Sequence, residues 1–254
     1  MVKIKEQIII AGPCAVENKS QLYKTFKSIY HNIDVFRAGI WKGRTSPNNY
    51  AGYGVKALPW IRDIQKKYQI PVAIEVGTTK HVELALKYDI KKIWVGARTT
   101  VNPFAIQEIA ESLRNTDIDI WVKNPIISDM GLWTGAIERF ERAGIKKIKT
   151  IYRGFYSENN KKYRNEPRWD LVELFKKYYT DIPILFDPSH LSGNTKHIEH
   201  LVQSIDREML SGFMFEVHNN PVEALSDKHQ QLDPEKFKMI INTLRKNKCL
   251  KNTT

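Results

Sequence analysis

Eight times along the chain a short apolar run gives way to an amphipathic stretch, and this alternation limits the possible folds more than any other feature. The runs cover residues 7–14, 34–40, 71–77, 91–97, 119–125, 147–155, 183–190 and 212–219. Segments such as Ile8-Ile9-Ile10 and Val72-Ala73-Ile74 are continuously apolar, as strands of a parallel sheet buried on both faces must be. The intervening stretches place apolar residues at i, i+3, i+4 and i+7, the mark of a helix with one buried face. Ile106/Ile109/Ala110/Leu113, Trp133/Ala136/Ile137/Phe140, Leu171/Leu174/Phe175/Tyr178, Ile198/Leu201/Val202/Ile205 and Phe237/Ile240/Ile241/Leu244 are the clearest cases. Eight units of roughly 30 residues use up the chain. The pattern therefore predicts an α/β fold, a single-domain (β/α)8 TIM barrel over residues 1–254, with 247–254 as a frayed tail. A doubly wound open sheet is the competing architecture, but no glycine-rich dinucleotide loop follows the first run.

Composition narrows the class of function. The formal charge of +12 invites a nucleic-acid reading, but the basic residues are spread over every segment rather than gathered on one face. Pairs such as Lys66-Lys67 and Lys176-Lys177 fall near helix C-termini, where lysine complements the macrodipole. No nucleic-acid partner is expected. No stretch approaches the roughly 20 apolar residues that cross a bilayer, so no membrane partner is expected either. The start, Met1-Val2-Lys3-Ile4-Lys5, has no secretory h-region, which points to the cytoplasm. Cys14 and Cys249 lie at opposite ends of the sequence and make a poor disulfide pair.

Barrel enzymes build their sites at the C-terminal ends of the strands, and chemistry-bearing residues collect there. Cys14, His190, Glu216 and Asp227 offer one thiol, one imidazole and two carboxylates, a mixed donor set suited to a catalytic divalent ion such as Mn, Fe, Co or Zn. Arg37, Lys42, Arg44, Arg98, Lys123 and Arg153 form a purely cationic set around the same mouth. That much charge is costly to bury without anions, so phosphate and carboxylate substrates are implied. Taken singly, each residue also has a plainer role: a small buried thiol for Cys14, an arginine partner for Glu216, an Asx-turn for Asp227. His218, two positions after Glu216, is read as either a supporting group or a core histidine. His31, His81, His197, His200 and His229 are assigned no chemistry. Trp60, Trp133 and Trp169 are read as packing residues, and Trp41 is left undecided.

The motifs Ala11-Gly12-Pro13-Cys14, Lys42-Gly43-Arg44-Thr45-Ser46-Pro47, Ile93-Trp94-Val95-Gly96-Ala97-Arg98, Asp187-Pro188-Ser189-His190, Glu216-Val217-His218 and Ser226-Asp227 followed by Gln230-Gln231 occur in this order. Together they resemble the 3-deoxy-7-phosphoheptulonate (DAHP) synthases of the type Iβ group over about residues 7 to 245. The resemblance implies condensation of phosphoenolpyruvate with erythrose 4-phosphate, the first step of the shikimate pathway. It implies a metal on Cys14, His190, Glu216 and Asp227; phosphoenolpyruvate on Arg37, Lys42, Arg98, Lys123 and Arg153; and the aldose phosphate on Arg44 with Thr45. Lys123 is the expected general acid or phosphate ligand, and Glu75 or Asp187 the group that orders water. Gly43 departs from the family's usual proline and is expected to loosen the loop that carries Arg44. The alternatives are 3-deoxy-8-phosphooctulonate synthase, whose corresponding segment differs from Lys42–Pro47, and a non-catalytic paralogue that docks a separate chorismate mutase. A homo-oligomer is expected, with no regulatory or chorismate mutase domain in these 254 residues.

Overall fold

The computed structural model describes residues 7–160 and 162–251. Its eight strands are β1 (Ile8–Gly12), β2 (Val35–Ala38), β3 (Val72–Val76), β4 (Lys92–Val95), β5 (Asp119–Lys123), β6 (Lys147–Tyr152), β7 (Ile184–Phe186) and β8 (Gly212–Glu216). All neighbours pair in parallel, and β1 pairs with β8 to close the barrel in sequence order. The open-sheet alternative is thereby excluded.

The helices are α1 (Lys19–Ile29), α2 (Leu58–Tyr68), α3 (Thr79–Lys87), α4 (Ala97–Thr100), α5 (Pro103–Ser112), α6 (Met130–Arg142), α7 (Trp169–Tyr178), α8 (Pro188–Ser192), α9 (Ile198–Ser204) and α10 (Pro234–Lys251). Several begin where a short polar side chain caps a free backbone N–H: Asn18 accepts from Gln21, Thr78 from His81, and Asp129 from Leu132. The tail expected from Asn247 is helical through Lys251, and its last three residues lie outside the described residues. The run 183–190 is not one strand. Asp187 caps α8 by accepting from the His190 N–H at 2.9 Å, and Pro188 occupies the first turn, where a missing N–H costs nothing.

Side chains on a strand alternate between its two faces, and this sorts the interior into layers. One residue from each strand forms the middle layer inside the barrel: Ile10, Val35, Ala73, Trp94, Trp121, Ile151, Leu185 and Met214. The alternate residues face outward and join the larger core under the helices, among them Phe36, Ile74, Ile93, Val122, Phe186 and Phe215. Two residues toward the strand N-termini, β4, β5 and β6 contribute a polar cluster to the barrel floor. There Asp119 accepts from Lys92 at 2.8 Å, from Lys149 at 2.6 Å and from the Trp121 indole at 2.8 Å. Two residues toward the C-termini, the same count reaches Gly12, Arg37, Glu75, Gly96, Lys123, Arg153, Asp187 and Glu216. The top of the barrel is thus six charged groups and two glycines.

Among the described residues Asp119 alone accepts from Lys92 and Lys149, and it is 6% exposed. Asp119→Ala leaves two partly buried ammonium groups facing each other, and urea denaturation should show a loss of about 3 kcal/mol. An unchanged midpoint would mean that the floor contributes nothing to stability.

Candidate active site

The upper layer is held together by short ion pairs. Arg37 and Glu216, both fully buried, meet at 2.9 Å. Lys123 donates to Asp187 at 2.8 Å, and Lys42 lies 3.6 Å from Glu75 and 4.0 Å from Glu216. Gly96 permits this crowding, because a Cβ there would collide with the Glu75 carboxylate. Gly39 has the same effect beside the Cys14 carbonyl. Above the layer, a cleft is lined by Lys42, Gly43, Arg44, Glu75, Gly96, Ala97, Arg98, Lys123, Arg153, Arg164, His190 and Asp227.

The charges of the layer and of the loops differ in balance. Within the layer three cations face three carboxylates. The loops then add Lys42, Arg44, Arg98 and Arg164 against Asp227 alone. Arg153 shows the strain. Burial, with Arg164 and Arg98 nearby, pushes its pKa down to about 9, and its NH1 donates to the neutral Asn165 side chain at 2.8 Å. Burial also lowers Lys123, opposed by Asp187. Such a cleft gains from a multiply charged anion that restores the cations to their ordinary state.

Of the four expected metal donors, His190 and Asp227 line this cleft, and Cys14 and Glu216 lie beside them. Cys14 Sγ is 3.2 Å from Asp227 Oδ2, and His190 Nε2 is 3.5 Å from Glu216 Oε1. Among the described residues, however, no three His, Cys, Asp or Glu side chains draw together as a ready metal cluster. The carboxylates are spoken for: Arg37 holds Glu216, while Arg44 and Arg164 take the two oxygens of Asp227 at 2.9 and 3.1 Å. The donors still suit an ion in kind. Burial, with Glu216 and Asp227 nearby, pushes the Cys14 thiol up to about 12, a penalty that a cation removes by binding the thiolate. Burial holds His190 down at about 4 despite Asp187 and Glu216, so the ring is neutral. Its Nδ1 lies 2.8 Å from Asp187 Oδ2, which directs the Nδ1 proton to that carboxylate and leaves Nε2 as a lone-pair donor. Glu216 falls to about 2, because His190, Arg37 and Lys42 outweigh its burial, and Asp227 lies well below the usual carboxylate range for similar reasons.

The other expected residues have these partners. Arg44 binds Asp227 through NH1 and the Tyr50 carbonyl through Nε at 2.8 Å, while Thr45 accepts from Arg98 at 3.0 Å. Free space surrounds Gly43, yet the loop is fixed on both sides of it by Lys42 N–H to Ala51 O at 2.9 Å and by Arg44 to Tyr50. His218 approaches Glu17, 3.5 Å away, and its Nδ1 accepts from the Asn220 N–H. Trp41 stacks on His81 with ring centroids 4.0 Å apart.

Arg164 escaped the sequence reading because it sits in a polar stretch without periodicity. Phe155 and Glu166 bond to each other in both directions, and Arg164 and Asn165 bond through their N–H groups to Ser192 and Leu191. These contacts fold the stretch back over the mouth. The paired glutamines also have defined roles: Gln230 donates to Glu216 at 2.6 Å and accepts from Arg164 at 2.7 Å, while Gln231 accepts from the Cys14 N–H at 2.9 Å.

Barrel and cleft together define an enzyme of the (β/α)8 class that handles small, multiply charged anions. The chain belongs to the DAHP synthetase I family, whose model it matches over residues 4–250. It is 32% identical over 240 residues to the phospho-2-dehydro-3-deoxyheptonate aldolase of Thermotoga maritima, covering 94% of this chain and 69% of that one. A crystal structure of that Thermotoga maritima DAHP synthase superposes with a TM-score of 0.84 at 29% identity, covering 94% of this chain and 68% of the other. The 2-dehydro-3-deoxyphosphooctonate aldolase of Campylobacter jejuni subsp. doylei is 24% identical over 95% of this chain and 97% of its own.

The cleft's charge can be tested without any assumption about the reaction. Inorganic pyrophosphate at about 100 times its dissociation constant should stabilise the fold by about 2.7 kcal/mol, seen as a raised Tm relative to sodium chloride of equal ionic strength. Equal melting in the two salts would show that the cleft does not select multivalent anions.

Proposed function

We propose that the chain condenses phosphoenolpyruvate with erythrose 4-phosphate and water, releasing phosphate and 3-deoxy-D-arabino-heptulosonate 7-phosphate. The observation that carries this reading is the cleft itself, lined by Lys42, Arg44, Arg98, Lys123 and Arg153 beside His190 and Asp227, in a member of the DAHP synthetase I family. Arg37, Lys42, Arg98, Lys123 and Arg153 suit the phosphate and carboxylate of phosphoenolpyruvate, and Arg44 with Thr45 suits the phosphate of the aldose. Cys14, His190, Glu216 and Asp227 would hold the divalent ion, with Mn, Fe, Co and Zn all compatible with the set. When bound, the ion supplies Lewis-acid polarisation of the aldehyde oxygen.

The chain's own residues account for the remaining steps. The cationic cluster aligns C3 of phosphoenolpyruvate with C1 of the aldose, so that a bimolecular encounter becomes a positioned one. As the carbon–carbon bond forms, the aldehyde oxygen gains a proton; Lys123, whose pKa is lowered by burial, is the donor best matched to that task. Water then adds at C2 and yields its proton to a carboxylate, after which the C–O bond to phosphate breaks. Asp187 is committed to Lys123 and His190 at 2.8 Å each, whereas Glu75 lines the cleft and meets Lys42 only at 3.6 Å; Glu75 is therefore the better placed acceptor of the water's proton. A cytoplasmic location and a homo-oligomeric assembly, with room for a separate chorismate mutase as partner, complete the reading.

Phosphate release from phosphoenolpyruvate should require erythrose 4-phosphate, stop with EDTA and return with Mn. Cys14→Ala and His190→Ala should each lower turnover by more than about 100-fold. Release with arabinose 5-phosphate alone would move the activity to the octulosonate reaction, for which the Campylobacter relative supplies the precedent. No release with either sugar would favour a non-catalytic paralogue.

A further inference from the structure

The proposed substrates account for every cation lining the cleft except Arg164. Its NH1 reaches both Asp227 Oδ1, at 3.1 Å, and Gln230 Oε1, at 2.7 Å. Arg44 holds the other oxygen of the same carboxylate, and Arg98 is close enough for Arg164 and Arg44 both to depress its pKa, after burial. Two guanidinium groups thus hold one carboxylate, with a third, Arg98 at the start of α4, nearby. Arg44 and Arg164 together outweigh the single charge of Asp227, which leaves a net positive charge for an anion. Exposure separates this group from the deeper cations: the side chains of Arg37, Lys123 and Lys42 are 0%, 5% and 7% exposed, against 14% for Arg44 and 37% for Arg164.

We infer that Arg164 is a ligand for the phosphate of the aldose phosphate, forming with Arg44 the outer clamp of the cleft; this rests on the proposed condensation. The backbone bonds at 164 and 165 fix where the side chain starts, so Arg164 meets the anion with little ordering cost. Arginine suits the task because its planar fork binds phosphate through two parallel N–H groups. Gln230 gives the clamp a second effect. It bonds Arg164 on one side and Glu216 on the other, so the grip on the phosphate is tied to the placement of a carboxylate on the metal side.

Steady-state kinetics of wild type, Arg164→Gln and Arg164→Lys, varying each substrate in turn, test this. In Arg164→Gln the KM for erythrose 4-phosphate should rise by about 10- to 100-fold, as expected for losing a charge-assisted bond. The KM for phosphoenolpyruvate should move by less than about twofold, and Arg164→Lys should recover part of the loss by keeping the charge without the fork. An unchanged aldose KM overturns the inference. So does a rise in both KM values together with a lower Tm, because a merely structural residue behaves that way. If wild type turns over neither aldose phosphate, the proposed reaction fails on its own account, and calorimetric titration with inorganic phosphate decides for Arg164: weaker binding in Arg164→Gln supports the clamp, and equal binding refutes it.

Discussion

The ion pair between Arg37 and Glu216 sits where β2 and β8 flank β1 at the top of the barrel, with both side chains fully buried. Neither charge tolerates that place alone. Removing an unpaired ion from water costs several kcal/mol, and the pair survives only because each member has further partners. Glu216 accepts from Gln230, and its backbone N–H donates to Ser189 at 3.0 Å. Arg37 packs its guanidinium over the Trp94 ring, 5.1 Å from the centroid. Among the described residues its Nε and NH1, though buried, have no acceptor.

From that pair the electrostatics builds outward. The inner layer is balanced, which lets it be packed between the aromatic plug of Trp94 and Trp121 and the cleft above. The loops are not balanced, and their excess positive charge can be kept near solvent at modest cost. The barrel therefore stores its affinity for anions at the mouth, while the groups nearest the chemistry sit where the dielectric is low and their pKa values are displaced.

Much of this was legible in the sequence, for a reason the layers make plain. Closing the barrel turns strand alternation into a rule: two residues beyond each middle-layer residue comes a residue of the active layer, and Lys123, Arg153 and Glu216 follow from it. Helix α6 was equally readable, since Trp133, Ile137 and Phe140 are buried as their spacing requires, whereas α7 buries Val172 and Phe175 and exposes Leu174 and Tyr178 of the expected face, turning that helix from its predicted orientation. What the sequence hid depends on loops. Nothing in the stretch 156–168 says that Phe155 and Glu166 pair and bring Arg164 back over the mouth. The break between β7 and α8 was also missed, although Asp187-Pro188 is a helix-start signal, because the apolar run before it reads as continuing strand. And Arg44 could be assigned to an anion from its motif, but not to Asp227, which lies 183 residues away.

Asp227 is where the two halves of the cleft meet. Its φ of 42° places it in the left-handed region, uncommon for a residue other than glycine and tolerated here because aspartate can bond locally. One oxygen faces Cys14 and Arg44, the other Arg164. A cation on Cys14, His190 and Glu216, as proposed, and an anion on Arg44 and Arg164 would therefore draw on the same carboxylate. An anion that took over the two arginines would leave Asp227 free to turn its charge toward the cation, and by linkage the coupling between the two would be equal in both directions.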